Sequence, residues 1–154
     1  MNKEKLDCLN ETHKHVNEVR KNLNVFVKDI IERGMIHDAS KFEEPELSVF
    51  AASTPKLALV EYDSPEYKEL LKEVQVAIDN HYAKNRHHPE HWANGIDDMT
   101  IVDLLEMIAD WRAATKRNKN GNIRTSIEKN ADRYNMSPQL QKIFENTVRE
   151  YFTE

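Results

Sequence analysis

The sequence predicts an all-α fold, a single helical metal-binding domain of about six helices over residues 1–154. Three observations carry that prediction. Only three Gly and five Pro interrupt 154 residues, apolar residues recur three and four apart over long segments, and the β-branched runs that mark strands are missing. A chain of this length buries roughly two thirds of its unfolded surface in one core, so no second domain is required.

The first helix is expected from about Lys3 to Arg33, with Leu6, Leu9, Val16, Val19, Leu23, Val27 and Ile30 forming one buried stripe and Gly34 closing it. A second is expected from Ser40, a residue type that caps helix N-termini, through Phe42, Leu47 and Phe50 towards Ala52, followed by a loop at Thr54-Pro55. Ser64-Pro65, a cap followed by proline, opens a third whose stripe of Leu70, Leu71, Val74, Ala77 and Ile78 leads to His81. The segment HYAKNRHHPEHWANG then reads as loop, because Pro89 pushes His88 towards extended backbone and Asn94-Gly95 marks a turn. Helices from about Thr100 to Lys116, Ile123 to Tyr134 and Ser137-Pro138 to Tyr151 complete the chain.

Composition narrows the function. With 39% hydrophobic and 32% charged residues the chain reads as soluble and globular. A net charge of -5 argues against an extended nucleic-acid surface while leaving room for a small anionic ligand. No stretch approaches the roughly 20 apolar residues that span a bilayer, the first residues carry no signal-peptide core, and a cytoplasmic protein is expected. The single Cys8 cannot form an internal disulfide.

The chemistry concentrates in the histidines. Of seven, four fall at His81, His87, His88 and His91, and a separate pair stands at His37-Asp38. Imidazole with carboxylate suits first-row divalent metals, and Asp38 is a natural bridge between two ions. At 100° per residue, the Thr100–Lys116 helix places Ile101, Leu104, Leu105, Ile108 and Trp111 on one face and Asp103, Glu106 and Asp110 on the other. Because Met107 and the alanines flank those acids, the second face is expected to be buried too, and a buried carboxylate needs a metal or a cation. Taken singly, His13, His15 and His91 read as ordinary surface or core histidines, and both tryptophans as packing residues.

HDASK, HHPEHWANG and IADWRAAT, in that order, resemble the signature of HD-domain metal-dependent phosphohydrolases. From about His15 onward the chain also looks like an uncharacterised family of phages and bacteria carrying HDxSK, HYxxNxHHPEH and EMxxDWxA. The HD resemblance implies His37 and Asp38 as metal ligands, Asp110 as the closing carboxylate, and His81 with His87 or His88 around a second ion. It makes Asp38 and Lys41 the catalytic pair, Lys41 facing the phosphate, with Arg86, Arg112 and Lys116 as further phosphate contacts. The implied cofactor is one or two divalent ions (Mn, Fe, Co, Ni, Zn or Mg), and the implied substrate is a nucleotide or other small phosphorylated molecule. No glycine-tyrosine-proline signature of cyclic-dinucleotide phosphodiesterases follows His91.

The first histidine of the HD pattern would be His15, 22 residues before His37. Eighteen residues of straight helix, His15 to Arg33, span about 27 Å, so His15 reaches a site at His37 only through a break near Asn22-Leu23-Asn24. Alternatively it serves a neighbouring subunit in a homo-oligomer. Two rival functions stay open at this point: a di-iron oxygenase on the same scaffold, and a non-catalytic binding module stabilised by metal.

Overall fold

The computed structural model describes residues 2–57, 59–60, 64–117 and 121–152. Among them it is all-helical. Seven α-helices run α1 Lys3–Ile36, α2 Glu46–Leu57, α3 Pro65–Glu73, α4 Gln75–Lys84, α5 Ile101–Thr115, α6 Ile123–Arg133 and α7 Pro138–Tyr151, with short 3-10 turns at Ala39–Phe42, Pro89–His91 and Gly95–Asp98. No helix is long and apolar enough to cross a membrane among the described residues. The chain divides into two compact units, Met1–Ile36 and His37–Glu154.

The first unit is α1 alone. The helix is unbroken at Asn22–Asn24 and runs past Gly34, whose α-carbon has open space around it. Glycine lowers helix propensity without forcing a stop. The stripe expected to be buried is not: Leu6, Leu9, Val16, Val19, Leu23, Val27 and Ile30 are 38–56% exposed. A lone helix offers no second surface of its own unit to pack against.

The second unit has a core of Met107, Ile108, Ile123, Ile127, Ala131, Met136, Phe144 and Val148, with Leu104 and Trp111 packed against it. α5, α6 and α7 supply it, and neighbouring pairs among them are in contact. Trp111 lies edge-on to Phe144 with ring centres 6.0 Å apart, a packing role as expected. α2 contacts both α3 and α4.

Caps set the boundaries where the sequence placed them. Ser64 and Ser137 accept from Tyr67 and Leu140 backbone N–H groups, each ahead of a proline at the first helical position. Thr100 and Asp103 form a reciprocal capping box opening α5. Three expectations fail. Ser40 does not open α2: it lies inside a 3-10 turn with its hydroxyl accepting from Asn85 Nδ2, and α2 starts only at Glu46. α2 then continues through Thr54-Pro55 to Leu57, with the Ser53 and Thr54 hydroxyls donating back to the Val49 and Phe50 carbonyls. The expected third helix is two, α3 and α4, because Val74 leaves helical geometry at φ -98°, ψ 2°.

Phe144, on α7, is 4% exposed and packs edge-on against Trp111 of α5. Phe144→Ala is expected to destabilise the protein by roughly 3–5 kcal/mol. Urea unfolding measures this, and a loss below about 1 kcal/mol would show that α7 does not close the core.

Candidate metal centre

Three stretches of the second unit bring the chemistry together. The first is the 3-10 turn at Ala39–Phe42. Asp38 precedes it in the left-handed region, φ 56° and ψ 21°, where aspartate is among the few residues with a side chain that visits readily. The second is the end of α4 and the loop after it. His81 projects from the last turn of α4, and His88 is held extended at φ -93°, ψ 129° by the proline that follows it. The third is α5.

α5 is buried along two arcs. Leu104, Met107, Ile108 and Trp111 face the core, while Glu106 and Asp110 face the histidines, half-buried. Ile101 and Leu105 lie instead on the exposed arc between, at 66% and 39% exposure. Asp103, fully buried, is no part of the cluster. Its carboxylate takes the Arg86 guanidinium at 3.2 and 3.3 Å together with the Thr100 cap.

At the centre, Asp38 Oδ1 lies 3.3 Å from His81 Nε2 and 3.6 Å from His87 Nε2, and His81 Nε2 is 2.9 Å from His88 Nε2. The four ligand atoms offered by Asp38, His81, His87 and His88 all fall within 4.8 Å of one another. Ligands about 2.1 Å from one cation stand ~3.0 Å apart at a right angle and ~3.4 Å apart at a tetrahedral angle, so these spacings are those of a single coordination shell. An N–H···N hydrogen bond would account for His81 and His88. It leaves Asp38 Oδ1 and His87 Nε2, both buried with no hydrogen-bond partner among the described residues. A buried oxygen and a buried nitrogen aimed at the same point fit a shared cation.

The remaining contacts fix the orientation of the rings. A carboxylate only accepts, so an imidazole nitrogen touching one must carry the proton. His81 Nδ1 donates to Glu46 Oε2 at 2.8 Å, and both His37 Nδ1 and His87 Nδ1 donate to Glu106 Oε1, at 2.9 and 3.2 Å. Nε2 of each ring is thereby left to face inward. His37 Nε2 stands 3.5 Å from Asp38 Oδ2 and 3.7 Å from Asp110 Oδ1, so Asp38 lies between the His37–Asp110 side and the His81–His87–His88 side. Lys41 Nζ donates to Asp38 Oδ2 at 2.6 Å.

The electrostatics are those of a site rich in negative charge. Hydrogen bonding to Asp110 and Glu106 pushes His37 up to about 10. Burial raises the carboxyls of Glu106, Asp110 and Asp38, but hydrogen bonds from His37 and His87 bring Glu106 down to about 2, His37 brings Asp110 below its ordinary value, and Lys41 does the same for Asp38. Burial, with the neighbouring His87 and His81, pushes His88 down to about 3 and keeps it neutral, the form that ligates a metal. Burial likewise lowers His81.

His37, Asp38, His81, His87, His88, Asp110 and Lys41 thus fall in one place. Arg86 is engaged by Asp103 and lies over the Trp92 ring at 4.6 Å. Arg112 is half-buried and Lys116 exposed near the end of α5. His15 is exposed on α1 in the other unit. Along the unbroken helix it stands about 32 Å from Ile36. His91, with Nδ1 2.9 Å from the Tyr82 carbonyl, is structural, as read from sequence. Two residues went unassigned. Glu106 was legible as the neighbour of Asp110 one turn back on the acidic face, whereas nothing local marked Glu46, fully buried and 35 positions from the ring it holds.

Two predictions test this geometry. Glu46→Gln sacrifices one hydrogen bond, either to His81 or to Asn80, whose amide donates to Glu46 Oε1 at 2.7 Å. Affinity for Zn2+ is expected to fall about 10- to 100-fold in a chelator competition, and an affinity within twofold of wild type would contradict the orienting role. In chelator-stripped protein, His37 contributes stability that is complete below its unfolded pKa near 6.5 and disappears as pH rises through about 10. The difference in melting midpoint between wild type and His37→Gln should therefore be largest below pH 6.5 and vanish above pH ~10.

No curated protein and no solved structure matches this chain. Residues 4–150 match a family of unknown function, DUF5662, and the chain belongs to that family.

Proposed function

We propose that the protein is a metal-dependent phosphohydrolase acting on a small phosphorylated molecule, with a nucleotide as the leading candidate. The observation that carries the reading is the convergence of Asp38 Oδ1 and the Nε2 atoms of His81, His87 and His88 on one point, with two of those atoms buried and without a hydrogen-bond partner among the described residues. Oxygen and imidazole donors in this mixture suit Mn, Fe, Co, Ni or Zn better than a soft-metal site, which would call for thiolates. One or two divalent ions held by His37, Asp38, His81, His87, His88 and Asp110 would supply an acidified water and positive charge opposite phosphoryl oxygens.

The chain's own groups have the remaining roles. Glu46 and Glu106 keep the proton on Nδ1 of His81 and His87, so that Nε2 of these two rings stays a lone-pair donor. Lys41, 39% exposed at its side chain and bonded to Asp38, keeps ammonium hydrogens for an incoming phosphate oxygen. Asp38 accepts from Lys41 through Oδ2 while Oδ1 turns to the histidines, which couples the phosphate contact to the metal ligand. The net charge of -5 supports a compact anion as substrate rather than a long polyanion.

The test pairs metal analysis with phosphate release. Purified protein is expected to hold one or two equivalents of divalent metal and to release phosphate from a nucleotide panel under Mn, Fe, Co, Ni or Mg. Asp38→Ala should lose most of the metal and at least 100-fold in rate. Metal at trace level in wild type, or release that survives Asp38→Ala, would overturn the reading.

A further inference from the structure

Next to the metal centre, and within the second unit, lies a cavity of about 490 Å³. His37 and Asp38 form part of its wall, and two cations, Lys41 and Arg117, line it with them. The volume lies within the range of small-molecule sites, roughly 300–1,000 Å³. What distinguishes the cavity is its aromatic content. Phe42 and Phe50 both line it, and Phe42 is 78% exposed although the residue two positions before it is buried. A phenylalanine left in solvent one residue after Lys41, at the mouth of a charged cavity, contributes little to the fold of its own turn.

Resting on the hydrolase reading above, we propose that this cavity seats the organic part of the substrate, and that the substrate is a phosphate monoester carrying a flat aromatic or heteroaromatic group. The phosphate would meet Lys41 on the side of Asp38, and the ring would lie against Phe42 and Phe50. Thr54, the remaining polar lining residue, has its hydroxyl committed to the Phe50 carbonyl at 2.7 Å. With Thr54 Oγ1 left only as an acceptor, ring recognition rests chiefly on stacking and apolar contact. The site should separate ring-bearing esters from ringless ones more sharply than one ring from another.

Benzyl phosphate and ethyl phosphate test this, since both release a primary alcohol and differ in the ring. For metal-loaded protein, kcat/KM is expected to favour benzyl phosphate by about tenfold, chiefly through KM. Phe42→Leu should remove most of that preference and Phe42→Tyr should keep it. A wild-type ratio near one, or a ratio unchanged in Phe42→Leu, overturns the proposal while leaving the hydrolase reading intact. If neither ester releases phosphate, titration of the metal-loaded protein with benzylphosphonate and ethylphosphonate decides this proposal, while the nucleotide panel decides the hydrolase reading separately. Tighter binding of benzylphosphonate, lost in Phe42→Leu, upholds the aromatic site; equal binding or none overturns it.

Discussion

Placing a carboxylate oxygen out of water among imidazole nitrogens is unfavourable unless each lone pair has a proton or a cation to face. Asp38 Oδ1 has neither among the described residues, although His81 and His87 approach it from two sides. The protons that could have relieved it are committed elsewhere, on the Nδ1 atoms that Glu46 and Glu106 hold. Two buried or half-buried glutamates thus leave the centre short of positive charge, an arrangement that fits a bound cation.

The fold keeps that deficiency in place by clamping the loop after α4 from several sides. Arg86 is tied to Asp103 at the start of α5, and the Trp92 indole donates to the Arg86 carbonyl at 2.9 Å. Glu90 accepts from Arg133 at 2.6 Å and from the Tyr134 hydroxyl at 3.0 Å, which fixes the 3-10 turn to the end of α6. Asn85 donates to Ser40 Oγ at 2.7 Å and so joins the loop to the turn that carries Asp38. Restraint of this kind matters for a coordination shell, in which ligand atoms must hold their spacing to within a few tenths of an ångström.

Much of this was legible in the sequence, for local reasons. Cap-then-proline pairs at Ser64-Pro65 and Ser137-Pro138 located helix starts because the signal and the hydrogen bond it makes lie within three residues. Clustering of His81, His87 and His88 beside His37-Asp38 and Asp110 picked out residues that the structure brings together. Errors arose where a distant partner overrode a local preference. Ser40 reads as a cap, but Asn85 uses its hydroxyl, and the helix starts later. The break at Val74 keeps the apolar stripe in phase, so spacing alone cannot reveal it. Glu46 is invisible for the same reason, since its significance lies wholly in a contact across 35 positions.

On the proposed reading, charge decides how the site can take an anion. Asp38, Glu46, Glu106 and Asp110 bring four carboxylates, against which the immediate surroundings set one ammonium, Lys41. With the histidines neutral, as ligation demands, a phosphate approaching the bare cluster meets net repulsion. One divalent ion reduces that negative charge without cancelling it, and a second reverses its sign. Asp38, with Oδ2 3.5 Å from His37 Nε2 and Oδ1 3.3 and 3.6 Å from His81 and His87 Nε2, would be the carboxylate shared between the ions. The same excess of acid that looks ill suited to a phosphate substrate is then what retains the ions, and the cations Lys41 and Arg117 along the adjoining cavity draw the substrate towards them.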